Sequence, residues 1–284
     1  MHPSRVPGNG QMTRGRSTVI DLSMNQVTPP PALPRDAIPA ATLVIMRSAD
    51  DGGPDEILMV KRSAKMAFAA GAVVFPGGRI DPDDYVVAQR HGYAEDDVEG
   101  AARVAAIRET LEETGLAIGW PDLAEQDIAE VRAALLAEKL LSDILEGRGD
   151  RLVLEALVPF ARWCPNFKEA RTFDTRFYAV AAPPHSQELT VEEAEHSHIF
   201  WASAQGTLAM ADRGDVSVIF PTRRNLERLA QANDFIGFSD HAGQFSVDLI
   251  TPWIEKRGGG SYLCIPGHLG YPVTSELLDS IRRG

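Results

Sequence analysis

The chain has 284 residues, 44% hydrophobic and 24% charged: long enough to bury a sizeable core, and balanced like a globular protein rather than a disordered or collagen-like one. Its 28 Lys and Arg stand against 40 Asp and Glu, a formal charge of −12 with no long basic tract, which disfavours non-specific nucleic-acid binding. No uninterrupted apolar run reaches bilayer length, and the two cysteines, Cys164 and Cys264, have neither metal nor redox spacing. The expectation is a soluble cytoplasmic protein with no membrane partner, its thiols reduced or joined in one remote disulfide.

The opening MHPSRVPGNGQMTRGRSTVI is broken by Pro, Gly and charge and does not read as a secretory leader. Residues 1–39, ending in VTPPPALPRDAIP, read as a poorly ordered tail with a stiff lead-in to a folded domain over 40–284. AATLVIMRS and ILMVKR, separated by DDGGPDE, predict a hairpin. AGAVVFPGGRIDPDD predicts a short strand that ends in a tight turn at Pro76, Gly77 and Gly78. A polar insertion follows over about 85–100. From about Ala101 to Thr114 the spacing of Val104, Ile107 and Leu111 predicts a helix, which Gly115 stops.

Residues 121–147 predict one long helix or two shorter ones, a helical insertion or cap. RLVLEALVPFARW then leads to a strand at FDTRFYAVAAP, and IFWAS begins another strand or a helix. SVIFP followed by TRRNLERLAQA predicts strand, turn and helix, and GGGSYLCIPGHLGY a loop with one short strand.

The chemistry concentrates in IRETLEETGL, residues 107–116. At helical spacing Glu109, Glu112 and Glu113 share one face, opposite Val104, Ile107 and Leu111. Three carboxylates on one stripe repel unless solvent or cations intervene, so the stripe is either solvated surface charge or a site for a hard divalent ion, Mg²⁺ above all. Arg108, four residues before Glu112, is placed to restrain it. Lys61, Arg62 and Arg79 flank the glycine turn as candidate anion-binding groups or as surface charges. KRGGG lacks the GxxxxGK(S/T) context of a phosphate loop and reads as a flexible loop. The arginines of TRRNLER suit a surface or dimer contact as well as phosphate recognition. Phe75, Trp163, Phe173 and Phe177 read as packing groups, and Phe68 and Phe167 as candidate wall residues. His196 and His198 lack a third zinc ligand.

Glycine turn, Arg-Glu, an apolar residue, Glu-Glu and a closing glycine, carried by Gly78, Arg108, Glu109, Leu111, Glu112, Glu113, Gly115 and Leu116, strongly resemble the Nudix hydrolase box. The resemblance implies an α/β fold with a mixed β-sheet sandwiched between helices, with 121–147 as a helical insertion. It implies hydrolysis of a phosphoanhydride in a nucleoside diphosphate derivative, Mg²⁺ (or Mn²⁺) on Glu109, Glu112 and Glu113, a small nucleotide-like substrate and homodimerisation. The short form of the box has an acid at the position of Gly100, so 85–100 reads as an insertion, with Asp84 or Glu99 supplying the missing acid. In several Nudix enzymes the general base lies in a later loop, which points to Glu195 in VEEAEHSHIFW; Glu109 is a candidate for positioning water.

KRSAKMAFAAGAVVFPGGRIDPDD, RTFDTRFYAV, FPTRRNLERL and IPGHLGYP resemble the larger Nudix branch that includes the mammalian peroxisomal coenzyme A diphosphatase. That likeness implies coenzyme A or acyl-coenzyme A as substrate and favours Arg62 as a phosphate ligand. The C-terminal IRRG does not read as a peroxisomal address. ADP-ribose, NADH and dinucleoside polyphosphates are the alternative substrates. A non-catalytic nucleotide-binding regulator is the alternative class, motivated by Gly100.

Overall fold

Strand β1 (Ile38–Arg47) carries apolar side chains on both faces, the mark of a strand covered from both sides. In the computed structural model, which describes residues 36–62, 71–165, 172–183 and 197–281, Ala41, Leu43 and Ile45 face one hydrophobic cluster and Val44 and Met46 a second. β1 runs parallel to β6 (Phe173–Ala181) along nearly its whole length, from Ile38 opposite Phe173 to Met46 opposite Ala181. Its other edge is shared. β2 (Glu56–Arg62) pairs with Met46 and Arg47, as the predicted hairpin requires, and β4 (Gly77–Arg79) pairs with Ala40, Ala41 and Thr42.

β3 (Val73–Val74), β5 (Val158–Trp163), β7 (Ser197–Ser203) and β8 (Leu249–Ile250) complete an eight-stranded mixed sheet whose main order is β3-β2-β1-β6-β5-β8. One face is covered by α1 (Pro82–Arg90), α2 (Val98–Thr114), α3 (Glu125–Leu136) and α4 (Leu141–Arg148). The cluster on the other face draws on α5 (Ala204–Asp212), α6 (Phe220–Leu229) and α7 (Phe235–Ala242). A mixed sheet between helices is the fold that the box resemblance implies. Residues 121–147 form two helices rather than one. Val131, Leu135, Leu141, Ile144 and Leu145 are buried against the α2 cluster, so the insertion belongs to the core as much as it caps it.

The insertion after Asp84, whose conformation the sequence leaves open, begins within a helix: Pro82 starts α1, and Asp81 and Asp84 close a capping box around its first turn. One expectation is corrected. SVIF forms no strand; Ser217 makes one isolated bridge to Ala72, and the helix already begins at Phe220 because Pro221 suits its first turn. GGGSYLCIPGHLGY carries one short strand as expected, β10 (Gly260–Cys264), and the flanking β9 (Trp253–Arg257) and β11 (Ser275–Leu277), which were not expected, pair with it in a separate three-stranded sheet. Within KRGGG, Gly258 and Gly259 form the two-residue hairpin turn between β9 and β10, at φ +41° and +118°. A four-residue helix, α8 (Leu278–Ile281), follows.

Cys164 and Cys264 are both buried free thiols, so the remote disulfide does not form. Among the described residues no helix is long and apolar enough to cross a membrane.

Candidate active site

Helix α2 starts where the Asp97 side chain accepts from the N–H groups of Glu99 and Gly100, and ends at Gly115, left-handed at φ +75° with its N–H on the Leu111 carbonyl. Val104, Ile107 and Leu111 are fully buried, as their spacing predicts, each contributing about 2 kcal/mol of apolar burial. Ala101, Ala102, Ala105 and Ala106 are buried too, and their small side chains let the helix lie close to β1. What remains half-exposed toward the helix C-terminus is the stripe of Glu109, Glu112 and Glu113.

The glycine turn is shaped by these side chains. The Gly77 N–H donates to Glu113 Oε2 at 3.0 Å, and its φ of +150° is one that side chains avoid. A Cβ on Gly78 would fall 2.3 Å from the Glu109 carboxylate carbon, so Gly78 is glycine because the acid lies directly against its backbone.

Arg108 ties the rest together. Its Nε and Nη2 reach the two oxygens of Asp84, both at 3.0 Å, and Nη2 also donates to the Arg79 carbonyl at 3.0 Å. Its Nη1 donates to Glu109 Oε1 at 3.0 Å and to Glu112 Oε1 at 3.3 Å. One guanidinium therefore links α1, the glycine turn and two of the three glutamates. Asp84 is wholly buried, and its carboxylate also accepts from the Asp81 N–H at 2.8 Å. Burial pushes its carboxyl above the ordinary aspartate value, with Arg108 pulling the other way.

Burial likewise pushes the Glu109 carboxyl up to about 7, against the attraction of Arg108 and with repulsion from Glu112 and Glu113 adding to the rise. Among the described residues no three acidic, histidine or cysteine side chains are already gathered closely enough to hold an ion. The donor set nevertheless fits a hard cation: all-oxygen, three-fold anionic at full ionisation, with Glu109 lodged in a cradle that a Cβ on Gly78 would fill. A cation there would relieve the repulsion that Arg108 meets only in part.

Of the two residues expected to replace the missing acid, Asp84 is committed to Arg108 and positions the arginine. Glu99 is corrected outright. It lies ten residues before Glu109 on one helix, about 15 Å along the axis at the usual rise, and pairs instead with Arg103 and Arg176. Gly100 has a local cause: a Cβ there would fall 2.4 Å from the Tyr93 ring, so the insertion packs directly on the helix at this glycine.

Lys61 is exposed at the end of β2, opposite Val73 and four residues before Gly77 by way of that partner, and Arg79 is exposed one residue past the turn. Both therefore flank the turn. Arg62 ends β2 opposite Ser197, and only its backbone is described, as is that of His198. Glu195, His196, Phe68 and Phe167 lie outside the described residues. TRRNLER is not a surface patch: Arg224 and Arg228 are buried, Arg228 donating to the Phe160 carbonyl at 2.7 Å and stacking on Phe160, Phe245 and Tyr271. Arg132 of α3 escaped the sequence reading. It donates to the carbonyl of Glu112 at 3.0 Å and so braces the acidic end of α2. Nothing in EVRAALL marks it, one charge among several on an amphipathic helix.

The NUDIX domain family model matches residues 37–131, which span β1, the glycine turn and α2. A NUDIX hydrolase from Alicyclobacillus acidocaldarius is 31% identical in sequence and superposes with a TM-score of 0.59, covering 72% of this chain and 96% of its own. "Putative nudix hydrolase 7" of Caenorhabditis elegans is 25% identical over 234 residues, 80% of this chain and 73% of that protein. A mixed sheet carrying a glycine turn against a glutamate-striped helix defines a pyrophosphohydrolase architecture. The chain belongs to the Nudix hydrolases, enzymes that cleave nucleoside diphosphate derivatives and generally use divalent metals such as Mg²⁺.

Substituting Gly78→Ala should displace Glu109 and lower turnover by about 10²-fold while circular dichroism stays that of the wild type, because the added methyl meets a side chain and not the core. The Glu109 carboxyl makes a second expectation. Since its folded value is raised from 4.5 to about 7, the folded state holds the proton more tightly, so metal-free stability falls as pH rises through that window. The loss amounts to about 3 kcal/mol at most. Thermal melts from pH 4.5 to 8 should show Glu109→Gln gaining on the wild type as pH rises, and Mg²⁺ closing the gap.

Proposed function

We propose that this Nudix hydrolase cleaves the phosphoanhydride of coenzyme A or an acyl-coenzyme A, giving a 3′,5′-ADP product and a phosphopantetheine product. The observation that carries the catalytic half of this reading is the Glu109 carboxylate held between Gly78 and Arg108 at the head of an acidic stripe. The substrate half is supported by the segments that resemble the coenzyme A branch. Two of them, FPTRRNLERL and IPGHLGYP, are locked together where the Tyr271 hydroxyl donates to Asn225 Oδ1 at 2.8 Å and Arg228 stacks on the Tyr271 ring. Branch-like sequence in this chain thus builds one packed feature.

Glu109, Glu112 and Glu113 are assigned to hold Mg²⁺, or Mn²⁺ in its place. When bound, the cation supplies charge screening for the diphosphate and for the departing phosphate. Arg108 holds the carboxylates in register. Lys61, Arg62 and Arg79 are assigned to the substrate's phosphate oxygens, and their charge is local in a chain that is otherwise anionic. Water attacks one phosphorus of the anhydride, the bridging P–O bond breaks, and the water proton passes to a carboxylate. Glu109, set against the glycine turn, is assigned to orient water and accept that proton, and Glu195 is the other candidate.

A product-resolved screen with Mg²⁺ tests the reading across coenzyme A, acyl-coenzyme A, ADP-ribose, NADH, dinucleoside polyphosphates and nucleoside triphosphates. Coenzyme A or its acyl form should be cleaved with the highest kcat/KM; cleavage of ADP-ribose or a dinucleotide with coenzyme A untouched rejects the substrate assignment. Glu112→Gln and Glu113→Gln should each lose about 10²-fold or more in kcat while remaining folded, and near wild-type rates in both would remove them from the metal site. The Glu195→Gln variant separates the two proton acceptors, since unchanged kcat leaves the role to Glu109.

A further inference from the structure

Four residues form a row across the sheet: Gly78 is opposite Ala41 on β1, Ala41 opposite Arg176 on β6, and Arg176 opposite Arg162 on β5. With neighbouring strands about 4.8 Å apart, the Arg176 backbone stands roughly 10 Å, and that of Arg162 roughly 14 Å, from the glycine that backs Glu109. Residues of the row face the α2 side, as the ion pair of Arg176 Nε with Glu99 at 3.4 Å shows. A cavity of about 220 Å³ opens there, lined by Glu99, Pro159, Arg162, Arg176, Tyr178 and Val247 among others.

The wall has more donors than its acceptors use. Arg162 gives Nε and Nη2 to Asp174, both at 2.8 Å, and Arg176 gives Nη1 to the same carboxylate at 3.4 Å. Nη1 of Arg162 and Nη2 of Arg176 have no hydrogen-bond partner among the described residues. The Tyr178 hydroxyl is completely buried beside Glu99, yet makes no hydrogen bond of ordinary geometry among the described residues. Burial holds that phenol well above its usual range, so it stays a protonated donor. Glu99 opposes an incoming anion, but it is engaged by Arg103 at 3.1 Å as well as by Arg176. Three arginines against Glu99 and Asp174 leave the neighbourhood one charge positive.

We propose that this cavity binds a phosphate monoester carried on the nucleoside half of the substrate, away from the anhydride that is cleaved. Two guanidinium nitrogens and a phenol match the terminal oxygens of such a group, and a cavity of about 220 Å³ has room for it. The inference rests on the reading above for the position of the anhydride beside Glu109. It adds a reason for the enzyme to prefer substrates with a second, remote phosphate.

Titration calorimetry on the full chain with Mg²⁺ compares adenosine 3′,5′-bisphosphate with adenosine 5′-monophosphate. The bisphosphate should bind roughly tenfold tighter or more. Arg162→Gln and Tyr178→Phe should each shrink that ratio toward one while leaving the affinity for the monophosphate unchanged. Tyr178→Phe removes only the hydroxyl and keeps the buried ring, and an unchanged thermal melt keeps the test independent of folding. Equal wild-type affinities, or a ratio that survives both substitutions, overturns the proposal. Coenzyme A cleavage alongside equal affinities sinks this subsite and spares the substrate reading; a variant-sensitive ratio in an enzyme that leaves coenzyme A intact does the reverse.

Discussion

The buried pair of Arg108 and Asp84 is the constraint on which the site depends. An arginine this deep must have every charged neighbour arranged around it, because leaving either partner alone would strand a charge in the core at a cost of about 3–5 kcal/mol. The arrangement satisfies Asp84 from one side of the guanidinium and reaches Glu109 and Glu112 from the other. The same side chain that pins α1 to α2 thus fixes the spacing of the glutamates. Fold stability and catalytic geometry draw on one interaction, so neither can be altered alone at this position.

Electrostatic tension remains after Arg108 has done what it can. The stripe gathers three acids where one guanidinium is within reach of two of them, and Glu109 responds by holding its proton to near neutrality. A site of this kind is prepared for a divalent cation by the strain it carries without one. The glycine turn contributes by bringing backbone up to the carboxylates, with the Gly77 N–H on Glu113 and Gly78 against Glu109. Short-range repulsion is thereby held in a fixed shape, which is what pre-organisation requires.

Much of this was legible in the sequence because it is local. The period of Val104, Ile107 and Leu111 gave the buried side of α2, Gly115 its end, and the glycines before it the turn. The hairpin of β1 and β2 was legible for the same reason, as two apolar runs around a turn-rich link. What was missed depends on partners far along the chain. That Asp84 belongs to Arg108 and Glu99 to Arg176 is decided by how α1, α2 and β6 pack, and residue spacing carries no record of it. TRRNLER looked like surface because arginine usually is; aromatic rings from three distant segments make its burial tolerable. The C-terminal sheet was missed because WIEKR shows no period-two pattern, and all five of its residues are exposed.

Arg132 gives the helical insertion a consequence of its own. It reaches from α3 to the carbonyl of Glu112, so the end of the glutamate-striped helix is braced by a segment that contributes none of the three stripe carboxylates. The loop–helix–loop is therefore not a transplantable cassette in this protein. A chimera that moved residues 71–116 into a plainer Nudix scaffold would carry Glu109, Glu112 and Glu113 and still lack the strut that holds the last turn of α2 in place. Modularity here is set by where the bracing side chains originate, and the smallest unit that can be exchanged runs through α3.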